Sequence, residues 1–291
     1  MGLVPRGGAL LPPRQGALAG AACHRWCDPN HVSHALFPAA VFRCEPMTVL
    51  SLDSVGKRYG ATRALDDVTL HFPEGAITAL IGRSGCGKST LLRLCNGLIA
   101  PDSGSVRVFD APLNYADPAP LRRQIGYAVQ GTGLFPHLSV FDNITLLACL
   151  ERWGADHIQN RLDELLQLTQ LPADLLDKYP HQLSGGQQQR VGLCRAMMLH
   201  PKILLLDEPF AAIDPITRLD IHHQLLALHR AEPATTLLVT HDMQEALRLA
   251  EHLVVMEEGR VRHSGAVASL LEDKPAMEPE ALLQHLLAGA G

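Results

Sequence analysis

Gly82-Arg83-Ser84-Gly85-Cys86-Gly87-Lys88-Ser89-Thr90 matches the G-x-x-x-x-G-K-[ST] phosphate loop at every fixed position. The apolar, β-leaning run Ala76 to Ile81 before it reads as a buried strand. Thr90 to Asn96 after it reads as a helix closed by Gly97. Strand, glycine-rich turn and helix thus stand in the order that phosphate binding needs. Glycines let backbone N–H groups curl around phosphate oxygens, and the helix aims its positive end at the same anion. Lys88 adds a mobile positive charge for the outer phosphates, and Ser89 offers a hydroxyl to Mg²⁺. The stretch predicts a nucleoside triphosphate site.

Composition narrows what such a site can serve. The 291 residues are 47% hydrophobic and 19% charged, enough for a packed core in one large domain or two small ones. Aromatics make up only 4%, which leaves little for stacking single-stranded bases. Twenty-five Lys and Arg against thirty Asp and Glu give a net charge of −5, so no broad basic field favours a nucleic-acid partner. No apolar run approaches the length that spans a bilayer, and work at a membrane is expected to pass through a partner. Seven irregularly spaced cysteines argue for a reducing cytoplasm rather than a disulfide framework.

Residues 1–46 are rich in Gly, Ala, Pro and Arg and follow no period. Leu3-Val4-Pro5-Arg6-Gly7 resembles a protease-tag scar, and a signal peptide is a second reading broken by Pro12-Pro13. The favoured expectation is a leader upstream of a start at Met47, disordered or not native. Cys23, His24, Cys27, His31 and His34 offer zinc ligands at a spacing that matches no common module.

From Thr48 onward, closely spaced β-rich runs (Val49 to Leu52, Ala64 to Phe72) predict a small antiparallel sheet ahead of the loop. Tyr59 is either a turn residue or a stacking platform for adenine, and the residues alone leave both open. Ser105 to Phe109 and Ile125 to Gln130 read as further strands, with Gln130 where the second gives way to a loop at 131–137. The period then turns helical over about 140–195, with Ile158, Leu162, Leu165 and Leu166 on one face. That insertion ends in Leu183-Ser184-Gly185-Gly186-Gln187, a capped helix start or a second anion cradle. Ile203 to Leu206 reads as a buried parallel strand ending in Asp207 and Glu208. Ligands of open α/β sheets gather at the carboxyl ends of strands. Asp207 is therefore placed for Mg²⁺ and Glu208 to orient or deprotonate an attacking water. Thr236 to Thr240 ends in His241, a structural histidine or a γ-phosphate donor on the same rim. Two strands around a Glu258-Gly259 turn and short amphipathic helices over 266–291 close the chain, with no internal repeat and no second domain.

Together these residues resemble the nucleotide-binding subunit of ATP-binding cassette (ABC) transporters over roughly 48–265. Leu183 to Gln187 matches the family signature in full, a far more specific motif than the phosphate loop. The resemblance implies an α/β P-loop NTPase core with a parallel sheet, an N-terminal antiparallel β subdomain and an inserted helical subdomain. It implies an ATPase using ATP and Mg²⁺, with Tyr59 on adenine and the loop Gly82, Arg83, Ser84, Gly85, Cys86, Gly87, Lys88, Ser89, Thr90 on the phosphates. Ser89, Gln130 and Asp207 would serve Mg²⁺, and Glu208, His241, Lys88 and Gln130 catalysis. Ala211-Ala212-Ile213-Asp214 carries Ile213 where the family usually has Leu. Such subunits work as a head-to-tail pair, so Ser184, Gly185, Gly186 and Gln187 would cover ATP on a second copy. A transmembrane permease would hold the pair at the cytoplasmic face of the membrane and, indirectly, serve a solute-binding protein. Gly133-Leu134-Phe135-Pro136-His137, Tyr179-Pro180-His181-Gln182 and Asp214-Pro215-Ile216-Thr217-Arg218 resemble importers of quaternary-amine osmoprotectants such as glycine betaine. Many of those carry a paired regulatory module after the cassette, and this chain stops without one. Importers of other solutes, and soluble cassette ATPases outside transport, are the alternatives.

Overall fold

The structure, a computed structural model, describes residues 48–131, 133–211, 213–273 and 277–288. The leader and its cysteine–histidine group lie outside them.

The chain opens with β1 (Thr48–Tyr59) and β2 (Thr62–Pro73), then β3 (Ile77–Gly82) and α1 (Lys88–Cys95). β4 (Ser103–Val108), β5 (Ala111–Pro112), α2 (Ala119–Arg122) and β6 (Ile125–Ala128) follow. Next come α3 (Val140–Leu150), α4 (Ala155–Thr169) and α5 (Gly185–Met197). Strands and helices then alternate through β7 (Ile203–Asp207), α6 (Pro215–Ala231), β8 (Thr235–Thr240), α7 (Met243–Leu249) and β9 (His252–Glu257). β10 (Arg260–Ala266), α8 (Val267–Asp273) and α9 (Pro279–Ala288) complete the order.

Two sheets form, an antiparallel one ordered β2-β1-β4-β5 and a six-stranded one ordered β10-β9-β3-β8-β7-β6. Within the second sheet every described pairing is parallel except β9 with β10. The unbroken aliphatic runs have a simple cause: this sheet is covered on both faces. Ile77, Ala79 and Ile81 of β3, with Leu204 and Leu206 of β7, pack toward α3 to α7. Leu80, Leu205, Leu237 and Val254 face the other way, against α1 and the antiparallel sheet. The fold is α/β; β1 and β2 supply the antiparallel pair expected ahead of the phosphate loop, and β4 and β5, from after the loop, complete that sheet.

Local boundaries differ from expectation in two places. α1 starts at Lys88 rather than Thr90, because Gly87 takes the left-handed φ of 108° and admits the helix at once. β1 runs twelve residues rather than four, and register shifts between Leu52 and Val55 and at Lys57 hide its alternation. α5 begins at Gly185, as the capped-helix reading of Leu183 to Gln187 expects, launched by a capping box between Ser184 and Gln187.

The helices after β6 are tied down by a few polar side chains. Asn143, fully buried on α3, accepts from Phe135 N–H and donates to the carbonyls of Phe135, Leu138 and Ser139. It fastens the loop that follows Gln130. The Arg195 guanidinium, on α5, lies 5.7 Å from the Phe135 ring centroid and donates to Gly133 O. Cys86, Cys95, Cys149 and Cys194 are free, and burial pushes the Cys95 thiol up to about 12.

Candidate functional site

α1 begins with Gly87 and no side-chain cap, and its first turn holds no acidic residue. Its leading N–H groups therefore lack intrahelical acceptors and face the loop. A Cβ at Gly87 would sit 2.4 Å from Ala64 O, so only glycine lets the loop lie this close to β2. Lys88 is 6% exposed, and its ammonium donates to Gly82 O at 2.7 Å and Arg83 O at 3.1 Å. Among the described residues no carboxylate forms an ion pair with it. A buried cation held by carbonyl dipoles, beside uncapped N–H groups, fits a polyphosphate.

The β9–β10 turn backs this loop. Gly259 N–H donates to Cys86 O at 3.1 Å, and Gly259 O accepts from Asp66 N–H at 2.9 Å. Gly259 has φ +78°, and a Cβ there would press on Ala64 O at 2.9 Å. Arg63 and Arg260 both donate to Asp66, and these hydrogen bonds hold its carboxyl below the usual range. The sequence shows the turn but gives no sign that it meets the phosphate loop.

The carboxylates stand where β7 ends. Ser89 Oγ donates to Asp207 Oδ1 at 3.3 Å. Asp207 is 7% exposed, and burial raises its carboxyl above the usual range against the opposing Ser89 hydrogen bond. A hydroxyl and a buried carboxylate are hard oxygen donors that suit Mg²⁺, which keeps few protein ligands beside nucleotide phosphates. Among the described residues no cluster of three His, Cys, Asp or Glu offers a denser cation site.

Glu208 takes φ 45°, rare for a residue with a side chain, and its N–H donates to Val239 O on β8. That turn sends its side chain toward two other strand ends. Gln130 Nε2 donates to Glu208 Oε2 at 3.3 Å, and His241 Nδ1 stands 3.7 Å from the same oxygen. The structure thus gathers Gly82 to Thr90, Gln130, Asp207, Glu208 and His241 along the carboxyl ends of β3, β6, β7 and β8.

Tyr59 and the signature sit on other elements, at the end of β1 and the start of α5. The Tyr59 ring is 47% exposed at the end of β1, with the Lys57 ammonium 5.9 Å from its centroid. Ser184 and Gly185 are exposed, whereas Gly186 is buried against Thr217 of α6. Gln187 closes the capping box on Ser184. Residues with no role assigned from sequence also border the site: Thr240, Asp242 and Glu245 beside His241, and Arg218 on α6. In the sequence Arg218 stands out only as part of Asp214-Pro215-Ile216-Thr217-Arg218.

Comparison with known proteins agrees with this geometry. The ABC transporter family model matches residues 65–211. The glycine betaine uptake system ATP-binding protein YehX of Escherichia coli (strain K12) is 46% identical over 77% of this chain and 72% of its own length. The glycine betaine/carnitine/choline transport ATP-binding protein OpuCA of Bacillus subtilis (strain 168) is 41% identical over 79% of this chain, which spans 60% of that protein. Among solved structures, the dimeric post-hydrolysis state of the ATP-binding cassette MJ0796 with ADP and Pi superposes with a TM-score of 0.68. It is 31% identical and covers 75% of this chain and 98% of its own. A phosphate loop backed by a buried lysine, a carboxylate pair at the end of β7 and these likenesses converge on one assignment: the chain belongs to the ABC transporter family, as an ATP-binding ATPase cassette.

Proposed function

We propose that this chain is the ATP-hydrolysing subunit of an importer that takes up a quaternary-amine osmoprotectant, such as glycine betaine, through a separate membrane permease. The observation that carries the hydrolytic part is the Glu208 carboxylate held between Gln130 and His241, beside the Ser89–Asp207 pair. The solute class rests on relatives named for glycine betaine, carnitine and choline. No described helix is long and apolar enough to cross a membrane, and this reading gives the crossing to the permease. The chain would then sit at the cytoplasmic membrane face, with a solute-binding protein as an indirect partner. Residues 48–265 would form the ATPase unit, the helices over 140–195 its inserted part, and 266–291 a tail.

In this reading Tyr59 stacks on adenine, and the N–H groups of Gly82 to Thr90 take the phosphates. Lys88 exchanges its bonds to Gly82 O and Arg83 O for phosphate oxygens, moving a buried charge onto the anion it fits. Ser89 and Asp207, with Gln130, would hold Mg²⁺. When bound, the ion neutralises charge on the phosphate oxygens. Glu208 takes a proton from the water that attacks the γ-phosphorus as the bond to the β–γ bridging oxygen breaks. His241 and Gln130 fix the Glu208 oxygen that receives it. Ser184, Gly185, Gly186 and Gln187 cap the ATP of a second copy, so one chain closes no site alone.

Mixing tests the pairing. Lys88→Ala and Ser184→Phe chains are each expected to lose ATPase activity, and an equimolar mixture to recover about one quarter of it. Half the pairs are then mixed, and each holds one intact site of two. Full activity in either variant alone, or no recovery on mixing, would refute the head-to-tail site. Affinity purification from solubilised membranes of the native host tests the load. A multi-span protein in rough stoichiometry supports the importer, and its binding-protein companion identifies the solute. Ribosomal or DNA-repair partners without a membrane protein would refute it.

A further inference from the structure

We propose that Arg218 is a positioning residue for ATP hydrolysis, clamping the loop that carries Glu208 to the loop that carries His241. The inference rests on the reading of those two residues as catalytic.

Glu208 and His241 follow the neighbouring strands β7 and β8 on separate loops. The Oε2–Nδ1 distance of 3.7 Å between them depends on how those loops lie against each other. Arg218 spans both. It sits one turn into α6, whose start is fixed by Asp214 accepting from Thr217 N–H at 3.0 Å. One nitrogen, Nη2, donates to Ile213 O at 3.1 Å, on the Glu208 loop. The other, Nη1, lies 3.4 Å from Glu245 Oε1 and 3.7 Å from Asp242 Oδ2, on the His241 side.

What it grips there is itself braced around His241. Glu245 is 7% exposed and accepts from Thr240 Oγ1 at 2.6 Å, while Thr240 Oγ1 accepts from Asp242 N–H at 3.0 Å. The residues before and after His241 are therefore both held in the Glu245 cluster. Burial raises the Glu245 carboxyl, and the Thr240 hydrogen bond and the Arg218 charge oppose that rise. His222, uncharged because burial pushes it down to about 4, closes the cluster with Nε2 3.8 Å from Glu245 and its ring edge-on to Phe210. A planar guanidinium can satisfy both loops at once, whereas an ammonium is a single point charge.

The same turn of α6 reaches the signature. A Cβ on Gly186 would lie 2.4 Å from Thr217 Cγ2, so the residue next to Arg218 packs directly on α5. Movement of the signature against a partner's nucleotide would reach both catalytic loops through one turn of helix.

Steady-state ATPase kinetics and thermal unfolding of full-length Arg218→Met, Arg218→Lys and Glu245→Gln, beside Glu208→Gln, test the clamp. Arg218→Met is expected to lower kcat about tenfold with KM for ATP within about twofold, the split left by losing geometry rather than binding. Arg218→Lys should recover part of that loss. Glu245→Gln, which keeps the shape and the Thr240 bond, should lower kcat as well, and its combination with Arg218→Met should cost less than the product of the two. If Arg218→Met does not fold, the Lys and Glu245→Gln variants decide by the same kcat criterion. Wild-type kcat in them, whatever the melting temperature, would overturn the clamp while Glu208→Gln stays inactive. An active Glu208→Gln would instead remove the reading beneath it.

Discussion

Glu208→Gln is expected to reduce kcat for ATP hydrolysis by about 100- to 1,000-fold, the range lost with a positioned general base, while ATP still binds. The side chains match in shape, so the replacement keeps an oxygen acceptor within reach of Gln130 and a neighbour for His241. Glu208 N–H still donates to Val239 O, so the unusual φ of 45° remains imposed by the strand beside it. What disappears is a carboxylate able to accept a proton. Single-turnover hydrolysis and equilibrium ATP binding separate the two effects, and the paired form should accumulate in ATP because it forms and no longer resets. Hydrolysis at the wild-type rate would place the base elsewhere.

The second large effect falls on stability, far from the phosphates. Arg161 of α4 is 2% exposed, and its guanidinium contacts both carboxylate oxygens of Glu232 as well as Met197 O and Glu164. Glu232 follows α6, so the ion pair ties the helices after β6 to the main sheet layer. Glu232→Ala would leave Arg161 buried without its principal counter-charge. Breaking one side of a buried pair costs about 3–5 kcal/mol. In a domain of this size that lowers the melting temperature by roughly 10 °C. Replacing both partners with apolar residues, Arg161→Met with Glu232→Leu, should recover most of the loss, because no uncompensated charge then remains. Thermal and urea unfolding of the single and double variants measure the difference, and an unchanged Glu232→Ala midpoint would refute it.

Several features were legible from residue order because each is local. The phosphate loop declares itself by glycine spacing between an aliphatic run and a helix. Leu204, Leu205 and Leu206 are apolar without alternation because both sheet faces are covered, and the Glu258-Gly259 turn shows as a breaker between two β runs. The length of β1 was hidden because its bulges reset the two-residue period on which strand reading depends. The start of α5 was legible because Ser184 caps a helix start in the sequence itself, and the capping box with Gln187 forms there. The Arg218 cluster could not be read at all. Ile213 lies only five residues before that side chain, but Asp242 and Glu245 meet it only after β7 and β8 pair, and no spacing along the chain encodes that meeting.

The placement of β3 has a further consequence for how the protein is made. The strand that leads into the phosphate loop lies between β8 and β9. Its end is pinned by contacts from Gly75 to Thr235 and from Ile77 to Glu251, 160 and 174 residues apart. At ordinary rates of synthesis, β3 leaves the ribosome on the order of ten seconds before either neighbour exists. During that interval Ile77 to Ile81 is an aliphatic edge with both sides open, the kind of segment that captures other strands. A nascent chain thus carries the full phosphate-loop sequence long before it owns a nucleotide site.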